Sequence, residues 1–256
     1  MTRPRSSRSS VPTARTLGLT HPKAQEDLER LGWVDAQHAE QMWILAATGD
    51  PDLALNNLIR LVEALDRADS ADGAHGAAAG ATDAAGAAGT SAELLTRINE
   101  SRQFAVRLLS LFGASSMLGD HIVANPAEWK QLEDGMPSAK EMMELMLGSV
   151  SATPVDGAGE RVFRAGVTGP EADDAMRRTY RTILARIAAV DVAGTFVQRG
   201  EESAEPVEFE LVSRRLSDAA DAALTAALAV ACAQVYEPES SPPASPCWPW
   251  ASAARR

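Results

Sequence analysis

The sequence predicts an all-α protein. Apolar residues recur at helical spacing through most of the chain, and the recurrences open on residues that cap helix N-termini. Only one stretch, PVEFELV at 206–212, alternates as a strand does, and it is too short and isolated to build a sheet.

The elements follow in order. Residues 1–18 are rich in Arg and Ser, lack the apolar region of a secretory leader, and read as a disordered basic tail. Residues 19–66 read as a short helical segment. Thr20 caps a first helix, with Pro22 in its first turn. A second, at 35–47, sets Ala39, Met42, Trp43 and Ala46 on one side and ends at Gly49 in the left-handed conformation. A third begins at DPDLALNNLIRLVEAL, where Asp50 is the N-cap, Pro51 fits the first helical position and Asp52 complements the helix dipole. Its stripe is Leu55, Leu58, Ile59, Val62 and Leu65. Residues 67–90, dominated by Ala and Gly, have nothing with which to build a core and read as a flexible linker.

Residues 91–235 read as a helical bundle. Thr90 and Glu93 form a capping-box pattern opening a helix with Leu94, Leu95, Ile98, Phe104, Leu108, Leu111 and Phe112, which stops at Gly113. SSMLGDHIVANPAEWKQL (115–132) reads as two short helices broken at Asn125-Pro126. Ser138 and Glu141 are a second capping box, with Met142, Met143 and Met146 as core filler. Residues 151–168 read as loop. The helix from Pro170 buries Met176, Tyr180, Ile183, Leu184, Ile187 and Val190 and turns Arg177, Arg178 and Arg181 elsewhere. The last helix, at 213–235, shows a seam of Leu216, Ala220, Ala223, Leu224, Ala227, Leu228 and Ala231, small enough for close helix packing. Residues 236–256 fit no regular structure.

A net charge of −11 argues against binding nucleic acid or an anionic membrane, because both need a positive surface. There is no uninterrupted run of apolar residues long enough to span a bilayer. Cys232 and Cys247 have neither metal-ligand spacing nor a disulfide framework, so a reducing cytoplasm is the expected location.

The residues give no active site. His21, His38, His75 and His121 are scattered, whereas a zinc site needs clustered ligands. Asp50-x-Asp52 has the spacing of a metal-binding pair, but its place at a helix start explains both carboxylates. Glu208-x-Glu210 reads as solvated charge, and Asp173 and Asp174 as dipole partners in a first turn. The Arg177/Arg178/Arg181 cluster reads as a solvated face. No catalytic, cofactor-binding or metal residue is assigned.

Several segments together resemble a family. TLGLTHPKAQEDLERLGW (16–33), DPDLALNNLIRLVEAL (50–65), LFGASSMLGDHIVANPAEWKQL (111–132), MRRTYRTILARIAAVDVAG (176–194) and LSDAADAALTAALAVACAQV (216–235) are similar to actinobacterial bifunctional glutamine synthetase adenylyltransferase/adenylyl-removing enzymes. The resemblance implies an all-α region preceding an α/β nucleotidyltransferase core. It also implies ATP and Mg2+ as the cofactors of the intact family, and glutamine synthetase and a nitrogen-signalling protein as partners. In that family the helices lead into a Met-Gly-Lys-x-Gly loop and a Ser-Asp-x-Asp metal motif, which the written sequence lacks. Shifting the reading frame by one nucleotide converts Cys247-Trp248 into Leu, Trp248-Pro249 into Ala and Trp250-Ala251 into Gly, as that loop would require. The expectation is therefore an N-terminal fragment with an out-of-frame tail at 236–256, itself catalytically inactive. The alternative left open is a free-standing helical protein-interaction module.

Overall fold

Capping chemistry sets where most helices begin. The computed structural model describes residues 11–75, 89–155, 162–195 and 207–235. Its helices are α1 Ala24–Arg30, α2 Ala39–Ala46, α3 Pro51–His75, α4 Ser91–Glu100, α5 Arg102–Ala114, α6 Ser116–Ala124, α7 Ala139–Ser149, α8 Pro170–Gly194 and α9 Phe209–Val235, with 3-10 turns at Ala36–His38 and Pro126–Leu132. The expected all-α class holds, with one small exception: Thr153–Val155 and Val162–Arg164 pair antiparallel where loop was expected. Most of the tail at 1–18, the linker at 67–90 and the whole of 236–256, with Cys247, lie outside the described residues.

The chain forms two compact units, Met1–Met136 with Ala185–Phe209, and Pro137–Leu184 with Glu210–Arg256. In the first, α3 is the central element, packed against α5, α6 and α4. Its predicted stripe is buried, and Ala54, Asn57 and Leu61 are buried as well, so α3 is covered on more than one side. It also runs on to His75, past the predicted start of the linker, because an established helix adds Ala and Asp residues at little cost. Trp33, Phe104, Phe112 and Trp129 are large aromatic core residues, and the Phe104 and Trp129 rings meet tilted at 5.5 Å between centroids.

Several local expectations change. Thr20 does not cap α1, whose N-cap is Lys23 with no side-chain bond. Instead α1 closes on Gly32, at φ +74°, with Gly32 N–H donating to the Glu29 carbonyl and Trp33 N–H to that of Leu28, the Schellman pattern. Residues 12–19 are partly buried through Pro12, Leu17 and Leu19 rather than forming a free tail. On α2 the buried residues are Gln41, Met42, Ile44 and Leu45, and Trp43 is exposed, so the face is rotated from the one expected. Gly49 has no positive φ. The expected helix across 91–112 is two helices, because Ser101 adopts an extended conformation and caps α5 by accepting from Phe104 N–H.

In the second unit the Ser138–Glu141 capping box is fully formed, and Met142 and Met146 are buried. The hairpin leads into Ala165, whose N–H donates to the Ala229 carbonyl of α9 at 3.0 Å. Residues 209–212, expected to alternate as a strand, are the first turn of α9. The buried residues of α9 are Ala219, Ala222, Ala226, Ala229, Val230 and Cys232. The predicted seam faces the other way: Leu216, Leu224 and Leu228 are about half exposed. Ile183 and Ile187 of α8 are buried as expected, together with Thr182 and Arg186, which were not.

Candidate functional site

The structure directs the two acidic residues at the start of α3 to different tasks. Asp50 accepts from Leu53 N–H at 2.9 Å, the N-cap bond expected of it. Asp52 reaches back to the segment before α1, accepting from Thr20 N–H at 3.0 Å, His21 N–H at 3.1 Å and the Thr20 hydroxyl. Partial burial raises the Asp52 pKa, but the bonds from Thr20 and His21 outweigh it and hold the carboxyl below its ordinary value. Asp52 is thus a latch between two chain segments, beyond the dipole role read from sequence. His21, Asp27, Asp52, Leu55 and Asn56 line a cleft of about 300 Å3 there.

A second cluster lies in the 111–132 segment. Gly113 and Gly119 are sites of close approach. A Cβ at Gly113 would lie 2.8 Å from the Thr48 side chain, and one at Gly119 would run into the Asn57 amide. Asn57, fully buried in the middle of α3, donates to the Phe112 carbonyl at 3.1 Å and accepts from Arg60 at 3.1 Å. Arg60 in turn pairs with Asp120. His121 is buried, with Nε2 2.9 Å from Glu128 and its carbonyl accepting from the Asn125 amide at 2.9 Å. These bonds fix the corner between α6 and the 3-10 turn at Pro126.

The other candidates stay apart. Glu208 and Glu210 are exposed at the start of α9, and Arg177, Arg178 and Arg181 are exposed on α8, with Arg177 paired to Asp174 at 2.9 Å. His38 contacts Asp35 at 2.9 Å. His75 lies at the end of α3. Among the described residues no three His, Cys, Asp or Glu side chains gather as metal ligands would. Sequence reasoning missed the Asn57, His121–Glu128 and Arg186 contacts. Asn57 lies on the side of α3 away from the predicted stripe, His121 and Glu128 are separated by the break at Asn125-Pro126, and Arg186 reaches a residue 51 positions away.

Comparison with known proteins bears on this segment and on the chain as a whole. Over 246 residues the chain is 42% identical to the bifunctional glutamine synthetase adenylyltransferase/adenylyl-removing enzyme of Corynebacterium glutamicum, an alignment that takes in 90% of this chain and 22% of that protein. In sequence the chain is similar to one part of that enzyme. The enzyme of the same name from Nocardia farcinica is 40% identical over 245 residues, 94% of this chain and 22% of its own. The one from Mycobacterium avium is 34% identical over 237 residues, 90% and 20% respectively. The chain therefore spans about a fifth of the length of these adenylyltransferase/adenylyl-removing enzymes. No family model matches it. No solved structure matches it either.

Proposed function

We propose that this chain is a helical supporting region of a bifunctional glutamine synthetase adenylyltransferase/adenylyl-removing enzyme. The observation that carries the reading is identity of about 40% to such enzymes across nine-tenths of the chain. In this reading the complete enzyme moves AMP from ATP onto a tyrosine of glutamine synthetase and removes it by phosphorolysis, under control of a nitrogen-signalling protein in the cytoplasm. ATP and Mg2+ belong to the nucleotidyltransferase core. Adenylyl transfer needs carboxylates that converge on magnesium. In this reading Asp50 and Asp52 serve as a helix cap and a chain latch. A free-standing interaction module is the less favoured reading, since it leaves the shared sequence unexplained.

The helix α9 is long and apolar enough by composition to cross a bilayer. The core helix of a globular protein passes the same test, so this carries no argument for a membrane role.

The reading is tested by incubating the purified chain with glutamine synthetase, labelled ATP and Mg2+. The expected result is no label on glutamine synthetase, while an intact relative labels it under the same conditions. Turnover by this chain alone overturns the supporting role.

A further inference from the structure

Three arginines from three helices meet one short stretch of backbone. Arg107 of α5 donates through Nη1 to the carbonyls of Leu132 at 3.5 Å, Glu133 at 2.7 Å and Asp134 at 3.1 Å. Arg186 of α8, only 4% exposed, donates through Nη2 to the Gly135 carbonyl at 3.2 Å. Arg97 of α4 holds the Glu133 carboxylate at 2.8 Å. The 3-10 turn Pro126–Leu132 ends here, so its last carbonyl and those of the residues just after it are free to meet the guanidinium groups. A guanidinium carries a rigid fork of five donors, which suits a fan of carbonyls better than any other side chain.

The arrangement has an electrostatic cost. Burial pulls the Arg107 guanidinium below its ordinary pKa; the Asp134 charge pulls it back up, and the nearby Arg186 charge lowers it further. Two like charges are held in poorly solvated surroundings, and the carbonyls of residues 132–135 help to compensate them.

The position in the chain gives the cluster a meaning. The chain leaves the first unit between Met136 and Pro137 and re-enters it between Leu184 and Ala185. Gly135 lies just before the first passage and Arg186 just after the second, so the bond between them ties the two passages together within the first unit. We propose that the Arg107–Arg186 clamp on residues 132–135 is a conformational device, a pin that joins both passages within the first unit and holds 133–136 closed against local opening. When the pin is removed, this stretch opens while the core of the first unit stays intact, a sub-global opening.

Hydrogen-exchange mass spectrometry on the full chain tests this. Arg107→Gln and Arg186→Met are each expected to speed exchange between 133 and 136 by about tenfold, with α3 and α5 at the unmodified rate. Arg186→Lys, which keeps one donor to Gly135, is expected to fall between. Arg177→Gln, on the exposed side of α8, serves as control. Unchanged exchange at 133–136 in both Arg107→Gln and Arg186→Met overturns the proposal. So does an equal acceleration throughout the first unit, which would make both residues general core supports. Should Arg186→Met fail to fold, Arg107→Gln decides alone by the same two criteria.

Discussion

Two polar side chains illustrate opposite ways of placing an acceptor in this protein. Asp52 is surrounded by donors from Thr20 and His21, and its carboxyl titrates below the ordinary carboxylate range of about 4. A depressed folded-state pKa means the latch contributes stability above that range and loses it as pH falls through the folded value. Asp52→Asn is expected to lower stability by about 1 kcal/mol at pH 7, and the difference from the unmodified chain should close below about pH 4. Thermal melts between pH 7 and pH 2.5 read both effects, and a gap that persists at the acid end refutes the latch. Gln41 is the opposite case, buried on α2 with Oε1 lacking a hydrogen-bond partner among the described residues. An unsatisfied buried acceptor costs on the order of 1 kcal/mol, so Gln41→Met, of similar volume and shape, is expected to raise the denaturant midpoint by a corresponding amount. A lower midpoint would show that Gln41 holds a donor after all.

At the scale of elements, glycine has two roles that sequence does not distinguish. Gly113 reads as a helix stop, yet it lies inside α5, where a Cβ would meet the Thr48 side chain at 2.8 Å and the Asp50 carbonyl at 3.0 Å. Gly148, inside α7, has nothing within 4 Å of its Cβ direction. Gly113→Ala is therefore expected to destabilise by about 1–3 kcal/mol, and Gly148→Ala to stabilise by about 0.5–1 kcal/mol through helix propensity. Opposite signs in one chemical-denaturation series confirm the contrast; the same sign for both refutes it. Helix starts were the most legible feature, because Asp50 and Ser138 act within four residues of themselves and no distant contact is needed to decide them. The break at Ser101 was hidden because its neighbours Ile98 and Phe104 continue an apolar pattern across it. The faces of α2 and α9 were misread because both helices carry apolar residues all round. On α9 the packed side is the Ala219, Ala222, Ala226 and Ala229 row, which permits closer backbone approach than the leucine row. Of the candidate residues, the cap at Asp50 was readable locally, whereas the Asp52 latch joins residues 32 apart and needed the fold.

For the whole molecule, the outward side of α9 stands out. Leu216, Leu224, Leu228 and Val235 are exposed, with Ala220, Ala227 and Ala231 also facing out and Asp221 a charged residue beside them. The chain carries a net charge of −11, so copies repel at low salt, and this mostly apolar face is where they approach most readily once repulsion is screened. Sedimentation velocity at rising concentration is expected to show salt-promoted association, abolished by Leu224→Lys combined with Leu228→Lys without loss of helical circular dichroism. A chain that stays monomeric at high concentration in high salt removes the face from consideration.

The buried amide of Asn57 has a consequence for how α3 and α5 are aligned. Sliding α3 along its neighbours by one turn, about 5.4 Å, would keep leucine against leucine over most of the contact. It would also carry the amide away from the Phe112 carbonyl and strand it in hydrocarbon. Leucines glue; this single side chain indexes, admitting one alignment out of several greasy ones. A leucine there removes the buried amide and lets the packing drift, so the asparagine acts as the notch that makes the assembly unique.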